Sequence, residues 1–461
     1  MSKTSGDTRT GDTGTARLAR YIVDMNQAAL PRSTVERAKL HILDTLGAVV
    51  SGYALKAGQL ARRLAESEMG PPEASLAISD HRVPAAMAAF ANAMAAHADE
   101  TDDAHPTSIT HPGCAVVPAA LAACELFGRS GMDLIRAVTL GYDFCARTGQ
   151  ALGAGRFLTE KCFDPHAFGG TIGAGAASAF LAGLGEREAA WALSYAVQQT
   201  SGVGTVFRDR DHVEKAFVFA GKPARDGLTS ALLVSRGFTA VDDAFDGEWN
   251  FWTAFGAPEP WTHFDTLGRV HEIEHTNIKR WSVGSPIQAA LDSVDVLHAE
   301  TAIDAGAIDR IEVRLPVEGA RVVDNRNMPS VNLQHLVALM IVDGHLGFQS
   351  SHDQDRMRDP RVAALRERVL LVPDEELSKA EPSRQAIVTI TYRDGSSRRH
   401  HTTAVRGTTD NPMSWEEVVT KARDLMRPTL DQAQTEAVIA AVGDLENAAS
   451  IDNLVEGLTL R

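Results

Sequence analysis

Gly169-Gly170-Thr171-Ile172-Gly173-Ala174-Gly175-Ala176-Ala177-Ser178-Ala179 is the stretch on which the fold turns. Two readings compete for it. A glycine-rich phosphate loop follows a β-branched strand and opens a helix within a βαβ unit, which would make the chain a nucleotide binder. A helix of small residues instead lets neighbouring helices approach closely. The preceding residues, Lys161-Cys162-Phe163-Asp164-Pro165-His166-Ala167-Phe168, do not read as a strand. The helical reading is the better one, and no nucleotide cofactor follows from the run.

Outward from this run the pattern stays helical from Ala16 to about Ala254. Val35 to Val50 places Ala38, Ile42, Leu43, Leu46 and Val49 at helical spacing. Pro84 to Ala96 and Val116 to Leu126 are so rich in small apolar residues that their helices must pack closely or be largely buried. Met132 to Leu152 continues the pattern, with Asp133 as an early-turn acid. The character changes after about Asp265. Ile308 to Leu315 alternates apolar and polar residues, a strand signature. Gln385 to Tyr392 is β-branched and runs through Arg393-Asp394-Gly395-Ser396 into a second alternating segment ending at Ala404, which predicts a hairpin with an Asp-Gly turn. Helices are expected at Ser285 to Leu297, at Leu333 to Leu346, and again from Ser414 to Leu460. The expected fold class is mostly α, with a large all-helical domain and a smaller α+β lid domain. The expected boundaries are a disordered tail over residues 1–15, the helical domain over 16–268, the lid over 269–408, and C-terminal helices over 409–461 that return to the helical domain.

At 461 residues the chain is too long for one simple core. Its 44% hydrophobic and 23% charged content is ordinary for a soluble globular protein. A net charge of −15 argues against nucleic acid or an anionic membrane as partner, and an anionic substrate would need a local cationic pocket. Cys114, Cys124, Cys145 and Cys162 form no close pair of the zinc or redox type, and buried free thiols in a reducing cytoplasm are expected. The polar N-terminus has no apolar secretory core, and no stretch is long enough to span a membrane.

The chemistry is concentrated in His97-Ala98-Asp99-Glu100-Thr101-Asp102-Asp103-Ala104-His105, followed by His111-Pro112-Gly113. Four carboxylates and three imidazoles fall within these fifteen residues from His97 to His111, between two helical segments. A plain helix connection does not need that density of titratable groups, although aspartates that only cap helices and make turns are the alternative. A metal site built on His97, Asp99, Asp102, His105 and His111 is a further alternative, but the spacing matches no defined metal motif.

Taken in order, four blocks resemble the MmgE/PrpD family over nearly the whole chain. They are the acidic loop ending in His111-Pro112; Cys162-Phe163-Asp164-Pro165-His166 before Gly170; Lys215 with Gly221-Lys222-Pro223-Ala224-Arg225-Asp226-Gly227 and Arg236-Gly237-Phe238-Thr239; and Lys279-Arg280-Trp281 with Asp343-Gly344 further on. The resemblance implies a helical domain, an α+β lid, a homodimer and a cofactor-free site for small di- or tricarboxylates. Its chemistry moves or removes a proton next to a carboxylate, or expels carbon dioxide. The sequence departs from the family pattern at Glu100, Ala104, Asp164, Gln288 and His335, which implies a rewritten site.

Abstracting such a proton needs a base whose pKa lies near working pH and cations for the developing charge. His111 is the first acid/base candidate, a histidine that merely caps the next helix being the alternative. Asp102, Asp103 and Glu100 are candidates to orient a histidine, hold a hydroxyl or act as base. Asp164 and His166 form a second acid/base candidate pair. Lys215 and Lys279 are the carboxylate-binding candidates, with Lys222, Arg225 and Arg280 behind them. His335 is either a lid residue of the site or a satisfied core histidine. The mixed-charge run Arg208-Asp209-Arg210-Asp211-His212 is either part of the site lining or a solvated face. The leading expectation is a hydro-lyase on a small di- or tricarboxylate, with an epimerase or decarboxylase of the same family as the alternative.

Overall fold

The computed structural model describes residues 14–460. All but the last two residues of the expected tail lie outside them; Gly14 and Thr15 open the helix Gly14–Asp24. The chain forms two compact units, one of residues up to Ala98, Ala104–His275 and Gln432 onward, the other of Asp99–Asp103 and Thr276–Asp431. The described residues are mostly helical, with small sheets. No described helix is long and apolar enough to cross a membrane.

The first unit is built around the helix Pro165–Leu181, which is buried along its whole length. Asp164 caps it by accepting from the His166 backbone N–H, and Pro165 occupies the first turn, where a missing N–H costs nothing. Around it pack the helices Gly131–Ala151, Lys222–Ser235, Pro112–Phe127 and Glu186–Gln199. The small residues make that crowding possible. A Cβ on Gly173 would lie 2.5 Å from the Gly141 carbonyl oxygen, and one on Gly227 2.6 Å from the Ala174 Cβ. The run lies inside the helix Pro165–Leu181 and the element before that helix is another helix, Gly155–Lys161, not a strand, so the nucleotide-loop reading fails on context as well as on packing. The helix Gly131–Ala151 opens with a capping box in which Ser130 and Asp133 bond each other's backbone N–H. A two-residue pair, β1 (Ala74–Ser75) with β2 (Arg82–Val83), lies at the edge of this helical unit.

The second unit carries a four-stranded sheet in the order β4-β3-β5-β6, with β3 at Ile308–Pro316, β4 at Val369–Asp374, β5 at Ala386–Tyr392 and β6 at Ser397–Thr402. β5 and β6 form the expected antiparallel hairpin, and Gly395 supplies the positive φ (85°) that its turn requires. β4, like the two-residue β1 and β2, is a strand that sequence reading missed. It pairs parallel with β3 across a helical crossover, and its half-exposed residues carry no clean alternation. Ile311, Val313, Leu315, Val388 and Ile390 face Leu291 and Val294 of the helix Gln288–Glu300 and Leu336, Val337 and Met340 of the helix Leu333–Asp343 in one core. This unit continues past residue 408 because the helix Trp415–Met426 is tied into it: Arg406 forms an ion pair with Glu417, and Asp424 accepts from the Phe348 backbone N–H at 2.7 Å. The later helices Gln432–Gly443 and Asp452–Leu458 belong to the first unit.

Cys114, Cys124 and Cys145 are buried free thiols, whereas Cys162 is exposed. The expectation of four buried thiols is corrected there: Cys162 ends the helix Gly155–Lys161 at φ 61°, on the unit's surface.

Candidate active site

Helix ends converge in the first unit. His97 follows the last residue of Ala85–Ala96, His111 is the N-cap of Pro112–Phe127, His166 lies in the first turn of Pro165–Leu181, and His212 precedes the short helix Val213–Ala216. The rings of His97, His111 and His166 gather around Phe219, and that of His212 lies against His97. The His166 ring stacks on it at 3.7 Å between centroids, the His97 ring at 4.7 Å, and the His111 ring lies at 5.9 Å. His111 also stacks on His166 at 5.0 Å, while His97 lies 5.3 Å from His111 and 5.2 Å from His212. Lys215 places its ammonium 5.1 Å from the Phe219 centroid, bringing a cation to the same ring.

Phe219 occupies this central place because of a local break in helix geometry. Residues Phe217–Gly221 form a π-helical turn leading directly into Lys222–Ser235. Pro223 has no N–H to donate to the Phe219 carbonyl four residues back, so the ladder widens there. The Cys114 thiol lies 3.9 Å from that carbonyl and 3.1 Å from the His111 carbonyl.

Asp164 is fully buried and bonds the His166 ring at 2.6 Å, Nδ1–H donating to Oδ1, which also accepts the His166 backbone N–H at 3.0 Å. That pair fixes the ring's orientation and leaves Nε2 as its free-facing nitrogen. His111 makes no side-chain cap bond to its own helix; its ring stacks on that of His166 and lies beside that of His97.

Lys222 donates to the Gln199 carbonyl and pairs with Asp226 at 3.0 Å, and Arg225 pairs with the same carboxylate at 2.8 Å. The two ion pairs lie within the helix Lys222–Ser235, and the bond to Gln199 ties it to the helix Glu186–Gln199. In the run from Arg208 to His212 only the last residue joins the imidazoles; Asp209 caps the following turn by accepting the Lys215 backbone N–H at 3.1 Å.

The acidic segment Asp99–Asp103 belongs to the second unit. Thr101 folds back on Asp99, its hydroxyl donating at 2.6 Å and its backbone N–H at 3.0 Å. The Lys279 ammonium donates to the Glu100 carbonyl at 2.8 Å and lies 3.6 Å from Asp102, while Lys421 donates to the Thr101 carbonyl at 3.0 Å. Asp102 and Asp103 are fully buried. Asp99 pairs with His352 at 2.7 Å. Burial works against both charges, but the shared hydrogen bond outweighs it, so Asp99 is held below the ordinary carboxylate range and His352 above the ordinary imidazole range. The His352 Nδ1–H also donates to the Phe348 carbonyl at 2.8 Å, as the protonated ring requires.

Arg280 is committed elsewhere in this unit. It pairs with Asp295 at 2.7 Å and stacks over Trp281 at 4.4 Å. His335 is fully buried, and neither ring nitrogen has a hydrogen-bond partner among the described residues. Burial pushes its pKa down to about 4, so the ring is neutral at pH 7.

Of the residues expected from sequence, the structure brings His111, Asp164, His166 and Lys215 together in one unit. It gathers Glu100, Asp102, Asp103 and Lys279 in the other, and leaves Lys222, Arg280 and His335 outside both groups. The metal alternative loses His105, whose two ring nitrogens are bonded to Ser108 and Glu272. Sequence reading missed Phe219, Lys421 and His352. Nothing local marks Phe219, but the Pro223 that widens its helical turn was visible.

Comparison with known proteins agrees with this architecture. The MmgE/PrpD N-terminal domain matches residues 16–263 and the MmgE/PrpD C-terminal domain matches residues 281–447. The cis-aconitate decarboxylase of Homo sapiens is 26% identical, covering 96% of this chain and 94% of its own length. That of Aspergillus terreus is 23% identical, covering 99% and 98%. The cis-aconitate decarboxylase-like protein oryM of Aspergillus oryzae is 22% identical, covering 96% of each. With both domains matched in order and the relatives aligned nearly end to end, the chain belongs to the MmgE/PrpD family.

Proposed function

We propose that the protein is a lyase acting on a small di- or tricarboxylate, and that the reaction is loss of water from a hydroxy acid. The observation that carries this reading is the side-by-side pair His111 and His166, one of them anchored to the buried Asp164. Elimination needs a base for the proton next to the carboxylate and an acid for the departing hydroxyl. One imidazole takes the proton, the electron pair forms the carbon–carbon double bond, and the hydroxyl leaves as water with a proton from the second imidazole. Lys215 offers a point charge for a substrate carboxylate. Lys279, the other carboxylate-binding candidate read from the sequence, belongs to the second unit, where it holds the acidic segment.

Decarboxylation is the second reading, favoured by the names of the relatives. There the carbon–carboxylate bond breaks, carbon dioxide leaves, and an imidazolium protonates the carbanion. A homodimer in a reducing cytoplasm completes the reading, supported by the family resemblance and by the thiol form of the four cysteines.

Proton NMR of the purified protein in deuterated buffer, with a panel of hydroxylated and unsaturated di- and tricarboxylates, tests both. An alkene formed from a hydroxy acid by the wild type but not by His111→Ala supports the hydro-lyase. Carbon dioxide release with deuterium in the product moves the assignment to decarboxylase. Deuterium exchange with the carbon skeleton retained makes it an epimerase, and silence across the panel overturns the lyase reading.

A further inference from the structure

His111 ends a tight turn whose backbone is under strain. Ile109 has φ 53°, a region that β-branched residues rarely enter. Such a conformation persists only where the surroundings over-determine it. His105 and Thr110 pair across the turn, the His105 N–H donating to the Thr110 carbonyl at 2.8 Å. Their side chains are joined as well. The Ser108 hydroxyl lies 2.8 Å from His105 Nδ1 and 2.6 Å from the Thr110 hydroxyl. Beyond His105, its Nε2 lies 3.2 Å from a Glu272 carboxylate oxygen, and Arg147 holds the other oxygen at 3.2 Å.

The directions of these bonds are set. The Ser108 backbone N–H donates to His105 Nδ1 at 3.3 Å, so that nitrogen is an acceptor and the ring proton sits on Nε2, facing Glu272. The Ser108 hydroxyl then donates to Nδ1 and accepts from Thr110. Burial opposes the Glu272 charge, but the His105 hydrogen bond and the Arg147 charge outweigh it and hold the carboxyl below its ordinary range. His105, Ser108, Thr110, Arg147 and Glu272 are all buried, and Gly149 leaves the room: a Cβ there would lie 3.0 Å from both Ser108 and Thr110.

We infer that Glu272, acting through His105 and Ser108, is a positioning residue that locks the turn and thereby sets where the His111 ring sits. The inference rests on the proposed role of His111. Glu272 fixes the one His105 tautomer that accepts from Ser108; without it the strained turn loses the bonds that hold it. Pro112 fixes the chain on the other side of His111, so the ring's placement depends on the Thr110 side.

The test uses full-length protein labelled at histidine Cε1 with carbon-13, the His111 line being assigned by its absence in His111→Ala. Glu272→Ala and the milder Ser108→Ala are expected to shift or broaden that line. They should also lower kcat by up to about a hundred-fold with KM little changed, the scale of a misplaced reacting group. Glu272→Gln, which keeps an acceptor, should restore most of both readouts. Lys39→Ala, which removes a distant ion pair with Glu446, controls for lost stability and should leave the His111 line in place. An unmoved His111 line in folded Ser108→Ala and Glu272→Ala overturns the inference. Full turnover by His111→Ala instead refutes the proposed function, while the ring signal still judges the relay.

Discussion

Replacing Asp164 by asparagine separates two jobs that one carboxylate performs. Its Oδ1 accepts both the His166 backbone N–H at 3.0 Å, which caps the central helix, and the ring Nδ1–H at 2.6 Å. Asparagine keeps an acceptor oxygen for both bonds, removes the charge and puts an amide NH2 in place of the buried Oδ2. A hydrogen bond to a charged group is roughly twice as strong as a neutral one or more, about 2–3 kcal/mol against about 1, so the substitution weakens the ring contact by roughly 1–2 kcal/mol. If an imidazolium at His166 forms in the transition state, the same amount appears as a fall of roughly 5- to 30-fold in kcat/KM. The cap survives in Asp164→Asn but not in Asp164→Ala, which should lose about 1 kcal/mol more in stability. Urea unfolding followed by circular dichroism reads the stability, and NMR turnover of the substrate found in the panel reads the chemistry. The decisive result is Asp164→Asn with kcat/KM within about twofold of wild type while His166→Ala is inactive. That outcome would show the carboxylate to be a helix cap alone and refute the reasoning.

Two further expectations concern stability. His335, neutral and buried with its pKa at about 4 against 6.5 unfolded, binds its proton less readily in the folded state. Its contribution is therefore complete above pH 6.5 and is lost as pH falls toward 4, a loss of at most about 2 kcal/mol by pH 5. His335→Leu should remove that part of the pH dependence, and identical wild-type and variant differences between pH 7 and pH 5 would rule it out. His271 and His352, both raised by carboxylate partners, act in the opposite direction, so the comparison must be between the two proteins. Gly173→Ala gains helix propensity of about 1 kcal/mol but forces a Cβ to 2.5 Å from the Gly141 carbonyl, a backbone atom that cannot step aside cheaply. Net destabilisation by about 1–3 kcal/mol is expected from urea midpoints, and a stabilised variant would mean that the helices are further apart than described.

Much of the fold was legible in the chain itself because its signals are local. The small-residue run Gly169–Ala179 lacked a preceding strand, the alternation from Ile308 set an inward face, and Asp394-Gly395 set a hairpin turn. Each is decided by backbone sterics or side-chain period within a few residues. β4 was not legible, because its pairing partner lies more than fifty residues earlier and its own pattern is weak.

The chemistry-bearing residue types were also visible in sequence, as was their concentration between His97 and His111. Their grouping was not. Only packing gathers His97, His111 and His166 around Phe219 and sets His212 against His97, from four separate helix ends. Only packing brings Asp295 to Arg280, whereas Lys222 meets Asp226 one helical turn on. Glu272 stands 167 residues from the His105 it bonds, a separation across which no pattern in the chain carries information. Sequence determined the main helices, the strands β3, β5 and β6 and the stock of acids and bases; tertiary structure decided which of them meet, because burial and close approach are properties of the assembled core rather than of any segment.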